Sequence, residues 1–160
     1  MSAISTSADV SVNLIPPPIY GAVTLFVMWL LHTRYPLTST SAEWPVLVGW
    51  IIVALGLALD LISLVNFRKA KTTVNPMRPE NTSELITTGL YTITRNPMYL
   101  GMAIMLTGVA LILRSLSPLI MPLIFCLVVT LVQILPEEKA LEELFGEEYR
   151  NYKHRVARWI

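Results

Sequence analysis

The residues able to do chemistry are concentrated in two stretches of the second half of the chain. The first contains Gly89, Tyr91 and the run 95–99, which reads Arg-Asn-Pro-Met-Tyr, and the second opens with the acid pair Glu137 and Glu138. A glycine two residues before a tyrosine indicates a tight turn that brings backbone close to a bound group. Together these side chains supply hydrogen-bond donors, acceptors and both charges. Such a set can bind and orient a polar ligand.

The sequence predicts neither a metal site nor a disulfide. The single cysteine, Cys126, cannot pair within the chain, and His32 and His154 lie far apart in sequence. The 12 Lys and Arg nearly balance the 11 Asp and Glu, which gives no case for a nucleic-acid partner. Any chemistry therefore has to come from positioning and polar contacts.

Each candidate residue also has an ordinary structural explanation. Tyr91 and Tyr99 are of the type found in the aromatic belt at a membrane surface, and Arg95 is of the type that contacts lipid headgroups. The acid pair of the second stretch suits the first turn of any helix. Asp60 is either a functional acid within a membrane span or a boundary residue that reaches the headgroups. Only the combination of these residues is informative.

The elements that must position them are predicted to be membrane-spanning helices. The chain is 54% apolar and 14% charged, against about 25% charge in a soluble domain. A spanning helix needs about 20 mostly apolar residues. The first candidate is expected to be a span rather than a cleaved signal peptide, because no Lys or Arg precedes Arg34. The predicted spans are 17–31, 46–65, 97–113 and 119–135, the last two forming a tight hairpin.

Basic residues predict the orientation of these spans. Ten of the 12 Lys and Arg lie in segments 66–96 and 136–160, and an excess of cations marks the cytoplasmic side. Four spans place both segments and the N-terminus on that side, with Arg34 and Arg114 on the other. The expected location is the cytoplasmic membrane if the source is bacterial.

After the last span, apolar residues repeat at helical spacing through 141–159. Charged residues occupy the other face, which predicts an amphipathic helix that starts at Pro136 and lies along the headgroups or against the bundle. The predicted fold is thus an all-α integral membrane protein with four transmembrane helices, a cytosolic connecting loop and a C-terminal amphipathic helix. Residues 1–160 form one domain, with a helical hairpin in 1–73 and the ligand-binding region in 74–160.

In combination and in order, the motifs resemble a known family. They read GxYxxxRNPxYxG from Gly89 and, one hairpin later, EExxxExxFGxxYxxY from Glu137. This pattern is similar to the membrane-embedded methyltransferases of the isoprenylcysteine carboxyl methyltransferase and phospholipid methyltransferase superfamily. The resemblance implies an integral membrane methyltransferase that uses S-adenosylmethionine and acts on a lipid-like or amphipathic acceptor by O-, N- or S-methylation. Methyl transfer from a sulfonium mainly requires positioning and exclusion of water, so few ionisable residues are needed.

The resemblance also implies site residues. Gln133 stands where the isoprenylcysteine enzymes place a substrate-binding arginine, so a prenylated cysteine carboxylate is not the expected acceptor. Gln133 and Asp60 are our candidate substrate contacts, and Arg95 and Glu138 our candidate catalytic residues. The positions implied to bind S-adenosylmethionine are Ser83, Glu84, Leu85, Ile86, Tyr91, Asn96, Pro97, Met98, Tyr99 and Glu137.

Two other classes of function are compatible with the sequence. A small oligomeric membrane transporter predicts ionisable residues in the middle of its spans, whereas the available acid, Asp60, lies near one end. A non-catalytic membrane scaffold of the same fold is favoured by Gln133 in place of arginine.

Overall fold

The structure, a computed structural model, describes residues 15–69 and 85–160, and these ranges contain helices and turns without a β-strand. The predicted all-α class is therefore confirmed. Two 3-10 turns, Gly89–Thr92 and Ser117–Ile120, precede the third and fourth helices, and a π-helical segment, Thr130–Ile134, follows the fourth. The helices are α1 (Pro17–Arg34), α2 (Trp44–Lys69), α3 (Pro97–Ile112), α4 (Met121–Val129), α5 (Leu135–Phe145) and α6 (Glu147–Arg155).

Two helical stretches are long and apolar enough to cross a membrane. They are Trp44–Asn66 and the continuous stretch Ser117–Phe145, which contain the predicted spans 46–65 and 119–135. Helix α3 is apolar but has 16 residues, about 24 Å at 1.5 Å per residue, against a hydrocarbon core of roughly 30 Å. The first and third predicted spans therefore stay predictions.

The outer surface of the helices is apolar. Helix α1 exposes Phe26 and Trp29 while it buries Gly21 and Thr24. Many large apolar side chains of the helices point outward, although others, such as Met28, are buried, and a water-soluble protein rarely exposes so extensive an apolar surface. Lipid is the surrounding in which such a surface is stable, so these faces and the two candidate spans indicate a membrane protein.

Helices α2 and α3 pack against each other through two pairs of glycines. A Cβ on Gly49 would lie 2.6 Å from the carbonyl oxygen of Gly108, and one on Gly56 would lie 2.6 Å from that of Gly101. A side chain at these positions would collide with backbone, so the absence of a Cβ is what permits the close approach of the helices. This contact holds α3 firmly in place, and the residues at its first turn with it.

The bundle has two chemically different ends. At one end the α1–α2 and α3–α4 connections meet, where the Thr40 N–H donates to the Arg114 carbonyl at 3.2 Å and the Leu116 N–H to the Leu37 carbonyl at 3.0 Å. An exposed ion pair joins Arg114 to Glu43 at 3.3 Å. The start of α1, the end of α2, the start of α3 and helix α5 lie at the other end. The described candidate site residues are there.

The tail is not the single amphipathic helix predicted from the sequence. The chain stays helical through the π segment into α5, so Pro136 lies inside a helix and does not start one. The helix ends at Gly146, whose φ is +53° and whose N–H donates to the Glu142 carbonyl at 2.9 Å. A positive φ is readily adopted only by glycine, a frequent helix terminator. Helix α6 follows as a separate helix, Glu147–Arg155, and Val156 after it is extended.

Candidate active site

Four polar side chains from α1, α3, the π segment and α5 meet at the second end of the bundle. Gln133 is completely buried, and its Oε1 accepts a hydrogen bond from the Tyr20 hydroxyl at 3.3 Å. The Gln133 side chain also lies close to the Tyr99 hydroxyl and the Glu137 carboxylate. We call these four residues the Gln133 cluster. It joins a predicted cofactor-binding pair, Tyr99 and Glu137, to a predicted substrate contact.

Local sequence explains why Gln133 points into the bundle. Pro136 has no N–H, and in a regular α-helix its ring would clash with the carbonyl four residues earlier. The preceding turn widens instead, and the Leu135 N–H donates to the Thr130 carbonyl across five residues. Such π segments are frequent at functional sites because they re-aim side chains.

The donor of the Gln133 amide has no aligned acceptor among the described residues, although the Glu137 carboxyl group is near. Gln133 Nε2 is buried and forms no hydrogen bond with any residue of the described ranges. A buried N–H without an acceptor costs about 1–3 kcal/mol, and native proteins rarely leave one unpaired. The cluster therefore suits a polar ligand that brings an acceptor oxygen to Nε2 and a hydrogen-bond donor or cation to Glu137.

The segment before α3, residues 85–96, lies at the same end of the bundle as the Gln133 cluster. Gly89 has φ +63°, as the predicted tight turn requires, and a Cβ on it would lie 2.7 Å from Nδ2 of Asn66. The group packed against the Gly89 backbone is thus the Asn66 side chain near the end of α2. Tyr91 is partly buried, and burial first, then Tyr152 and the charge of Glu137, raise the pKa of Tyr91. Its hydroxyl stays protonated at neutral pH, within electrostatic reach of Glu137.

Glu138, the second acid of the pair, is enclosed by arginines. Arg158 donates from Nε to Oε1 and from Nη2 to Oε2 of Glu138, both at 2.8 Å. Nη1 of Arg95 lies 2.8 Å from Oε1 without the alignment of a hydrogen bond, and Arg95 Nε also has no acceptor among the described residues. The hydrogen bonds with Glu138 raise the pKa of Arg158. Neighbouring acids on α5 therefore have opposite surroundings: neutral groups around Glu137 and two guanidinium groups around Glu138.

Two tyrosines of α6 complete this arrangement. Burial raises the pKa of Tyr149 to about 12, with the charge of Glu138 acting in the same direction and a hydrogen bond with Arg95 opposing it. The Tyr152 hydroxyl donates to the Tyr91 carbonyl at 2.8 Å. Helix α6 is thus attached to the segment before α3 at two points, through Tyr149 at Arg95 and through Tyr152 at Tyr91.

The hydrogen bond from Tyr152 gives a stability prediction. Replacing Tyr152 with phenylalanine keeps the buried ring and leaves the Tyr91 carbonyl without this donor, so we expect a loss of about 1 kcal/mol in the free energy of unfolding. Denaturant unfolding in detergent measures it. Tyr35→Phe is the matched control, because Tyr35 is 71% exposed at the opposite end. Equal stability of the two variants would contradict the prediction.

Helix α3 begins at Pro97, the first residue of the third predicted span, and the Asn96 side chain forms no capping hydrogen bond with it. Nδ2 of Asn96 donates instead to the Arg158 carbonyl at 3.0 Å. Pro97 is buried and Met98 is partly exposed. Asn96 therefore contacts the tail of the chain, and its predicted contact with a cofactor stays a prediction.

The remaining predicted positions are distributed around this end. Leu85 packs against the cluster formed by Tyr149 and Tyr152, and Ile86 beside it is partly buried. The predicted positions 83 and 84, Ser83 and Glu84, lie outside the described residues. Asp60 lies against Gly101 of α3, and its buried Oδ1 has no hydrogen-bond partner in the described ranges.

Sequence reasoning missed two of the residues that build the site. Tyr20 was part of an apolar run in α1, and Arg158 was one of the tail cations that predicted the orientation of the spans. Their contacts with Gln133 and Glu138 span 113 and 20 residues. For Tyr20, the only sequence signal was a hydroxyl on an otherwise apolar helix. Arg158 carried none beyond its charge.

A family model described as phospholipid methyltransferase matches residues 44–148, which span α2 to the start of α6 and contain most of the Gln133 cluster. The chain belongs to this family. The methanethiol S-methyltransferase of Pseudomonas deceptionensis is 30% identical over 134 residues, which are 81% of this chain and 47% of that enzyme. The chain therefore spans about half the length of that relative. These matches confirm the resemblance predicted from the motifs.

A second relative is shorter. A protein of Haemophilus influenzae described as uncharacterized is 41% identical over 63 residues, which are 39% of this chain and 100% of that protein. No solved structure matches the chain.

Proposed function

We propose that this phospholipid methyltransferase family member is an integral membrane enzyme that transfers a methyl group from S-adenosylmethionine to a lipid-like or amphipathic acceptor. The observation that carries the proposal is the Gln133 cluster, a buried amide whose Nε2 has no aligned acceptor among the described residues, beside a carboxyl group and two tyrosine hydroxyls. Family membership and the methanethiol S-methyltransferase relative support the same reaction type.

The described residues fit S-adenosylmethionine. Glu137 would hold its ammonium group or ribose hydroxyls, and Gln133 Nε2 would donate to one of its oxygens. Tyr91 or Tyr99 would contact the adenine, and the Leu85 and Ile86 segment would contribute backbone. When bound, S-adenosylmethionine supplies a methyl group already activated by its sulfonium. The chain's own work is to bind, orient and exclude water.

The contacts of the acid pair separate two roles. Glu137 has no ion pair with a described Lys or Arg, so its carboxyl group is available to a ligand. Both oxygens of Glu138 contact arginines, which favours a positioning role for Glu138 and Arg95 over the catalytic role suggested by sequence. Asp60 is our candidate group on the acceptor side, where an amine or thiol acceptor has to lose a proton.

We propose that the chain crosses the membrane four times. The end of the bundle that carries the Gln133 cluster then faces the cytoplasm, and the end that carries Arg34 and Arg114 faces the opposite side. The cation distribution supports this orientation, because Arg34 and Arg114 lie at the end away from the Gln133 cluster. An acceptor dissolved in the bilayer would reach the site between helices, while the polar methyl donor arrives from the cytosol. The apolar outer faces of α1 and α2 are compatible with such lateral entry.

Calorimetry of the purified protein in detergent, with S-adenosylmethionine as titrant, tests the proposal. We expect binding in the micromolar range, followed by transfer of a labelled methyl group to at least one acceptor in a panel of phosphatidylethanolamine vesicles, alkyl thiols and amphipathic carboxylates. A thiol product would place this chain nearer its Pseudomonas relative in function. Absence of binding would contradict the proposal and favour the transporter or scaffold.

The Tyr99 hydroxyl gives a sharper test of the site. Tyr99→Phe keeps the buried ring, 6% exposed, and removes the hydroxyl next to Gln133, so we expect affinity for S-adenosylmethionine to fall about fivefold, the effect of one neutral hydrogen bond. Trp29→Phe is the control, since Trp29 is 54% exposed on α1 and should leave affinity unchanged. Equal losses in both variants would indicate general destabilisation instead.

A further inference from the structure

The segment 156–160 is attached to the segment before α3 by hydrogen bonds that its own backbone carbonyl groups accept. The Arg95 N–H donates to the Ala157 carbonyl at 3.0 Å, and the Thr94 hydroxyl and Asn96 Nδ2 donate to the Arg158 carbonyl at 3.1 and 3.0 Å. Thr94 is 1% exposed. Three consecutive residues thus hold the extended chain that follows α6. We call segment 156–160 the strap.

The strap also binds the other two elements of the site. The Arg158 side chain donates two hydrogen bonds to Glu138 of α5, and the Trp159 indole N–H donates to the Thr130 hydroxyl of the π segment at 3.2 Å. Each of these elements carries one residue of the site: Tyr91 lies in the segment before α3, Gln133 in the π segment and Glu137 in α5. One short strap therefore fixes the relative positions of all three.

We infer that Arg158 is a positioning residue for the site, an inference that rests on the proposed function. Its carbonyl holds the segment before α3, while its guanidinium holds the acid next to Glu137. If the guanidinium is lost, Glu138 keeps only the poorly aligned Arg95, and the strap loses its link to α5. The ligand would then have to order the segment before α3 on binding, and that ordering lowers affinity.

The test compares Arg158→Met and Arg158→Lys with the wild type in detergent. Arg155→Met is the matched control, because Arg155 is exposed on α6 and, among the described residues, hydrogen-bonds only the Asn151 carbonyl of its own helix. For Arg158→Met we expect at least a tenfold higher KM and Kd for S-adenosylmethionine, with the acceptor KM and kcat changed less than threefold. Lysine keeps the charge but cannot form the two parallel hydrogen bonds with Glu138. The KM and Kd of Arg158→Lys for S-adenosylmethionine should therefore lie between those of the wild type and of Arg158→Met.

Hydrogen exchange of the amides of Thr94, Arg95 and Asn96 separates this inference from the proposed function. We expect about tenfold faster exchange there in Arg158→Met and wild-type rates in Arg155→Met, whether or not the protein binds S-adenosylmethionine. Failure of wild-type binding with this exchange pattern would sink the proposed function but leave the strap as a structural link. Wild-type exchange and affinity in Arg158→Met would overturn the inference. If Arg158→Met does not fold, Arg158→Lys provides the same comparison with a smaller expected effect, because it removes the paired hydrogen bonds with Glu138 and keeps the charge.

Discussion

Replacing Glu137 with glutamine is expected to weaken binding of S-adenosylmethionine by about 10- to 100-fold. A hydrogen bond that involves a charged group contributes roughly 1.5–3 kcal/mol, and each 1.4 kcal/mol corresponds to a factor of about ten in Kd. Glutamine keeps the size of the side chain and its contact with Gln133, so the change removes little besides the charge. No described Lys or Arg forms an ion pair with Glu137, so the variant should fold normally.

Calorimetry in detergent measures the affinity, and thermal unfolding of the same samples verifies the fold. Glu143→Gln is the control on the same helix, because the Glu143 side chain is 59% exposed and its nearest cation is Lys139 at 3.9 Å. Affinity should be unchanged in that variant. Wild-type affinity in Glu137→Gln would show that the carboxylate does not hold the methyl donor, and the site would have to be assigned to other residues.

Local rules predicted the parts of this site that depend on neighbouring residues. Helix α3 starts at Pro97, where the third predicted span starts, in agreement with the preference of proline for the first helical turn. The turn at Gly89 followed from the conformational freedom of glycine, and its φ of +63° agrees. Both features are set within a few residues, where sequence alone carries enough information.

Features that depend on packing were not predictable in this way. Glu137 and Glu138 are adjacent in sequence, yet successive side chains on a helix point about 100° apart, so they face different elements. Which acid meets Gln133 and which meets Arg158 is decided by how the chain folds back after α5. Pro136 suggested a helix start, but the wider π-helical turn before it accommodates the proline ring, so the helix continues without a break.

The α2–α3 glycine pairs carried a sequence signal whose meaning required the structure. Gly49 and Gly56 are seven positions apart, as are Gly101 and Gly108, so each pair recurs on one face of its helix after about two turns. Glycines in apolar helices have several explanations, and only the antiparallel packing shows that the two pairs face each other. The first turn of α3 owes its position to this contact.

Replacing Gly56 with leucine is therefore expected to lower the free energy of unfolding by about 3 kcal/mol or more, the upper range for overpacking. A Cβ at this position would lie 2.6 Å from the Gly101 carbonyl oxygen and 2.8 Å from the Met105 nitrogen. Both are backbone atoms, which cannot rotate away as a side chain would. The helices have to separate, and α3 moves with Tyr99 on its first turn.

Denaturant unfolding in detergent measures the loss, and calorimetry should show weaker binding of S-adenosylmethionine in whatever fraction still folds. Ala58→Leu is the matched control, because Ala58 is exposed on the same helix and a larger apolar side chain there meets lipid or detergent. The two substitutions add similar apolar volume to α2 and differ in which face receives it. A stable Gly56→Leu protein with wild-type affinity would mean that the close α2–α3 contact does not hold the site, and that the strap and the π segment suffice to position Tyr99 against Gln133.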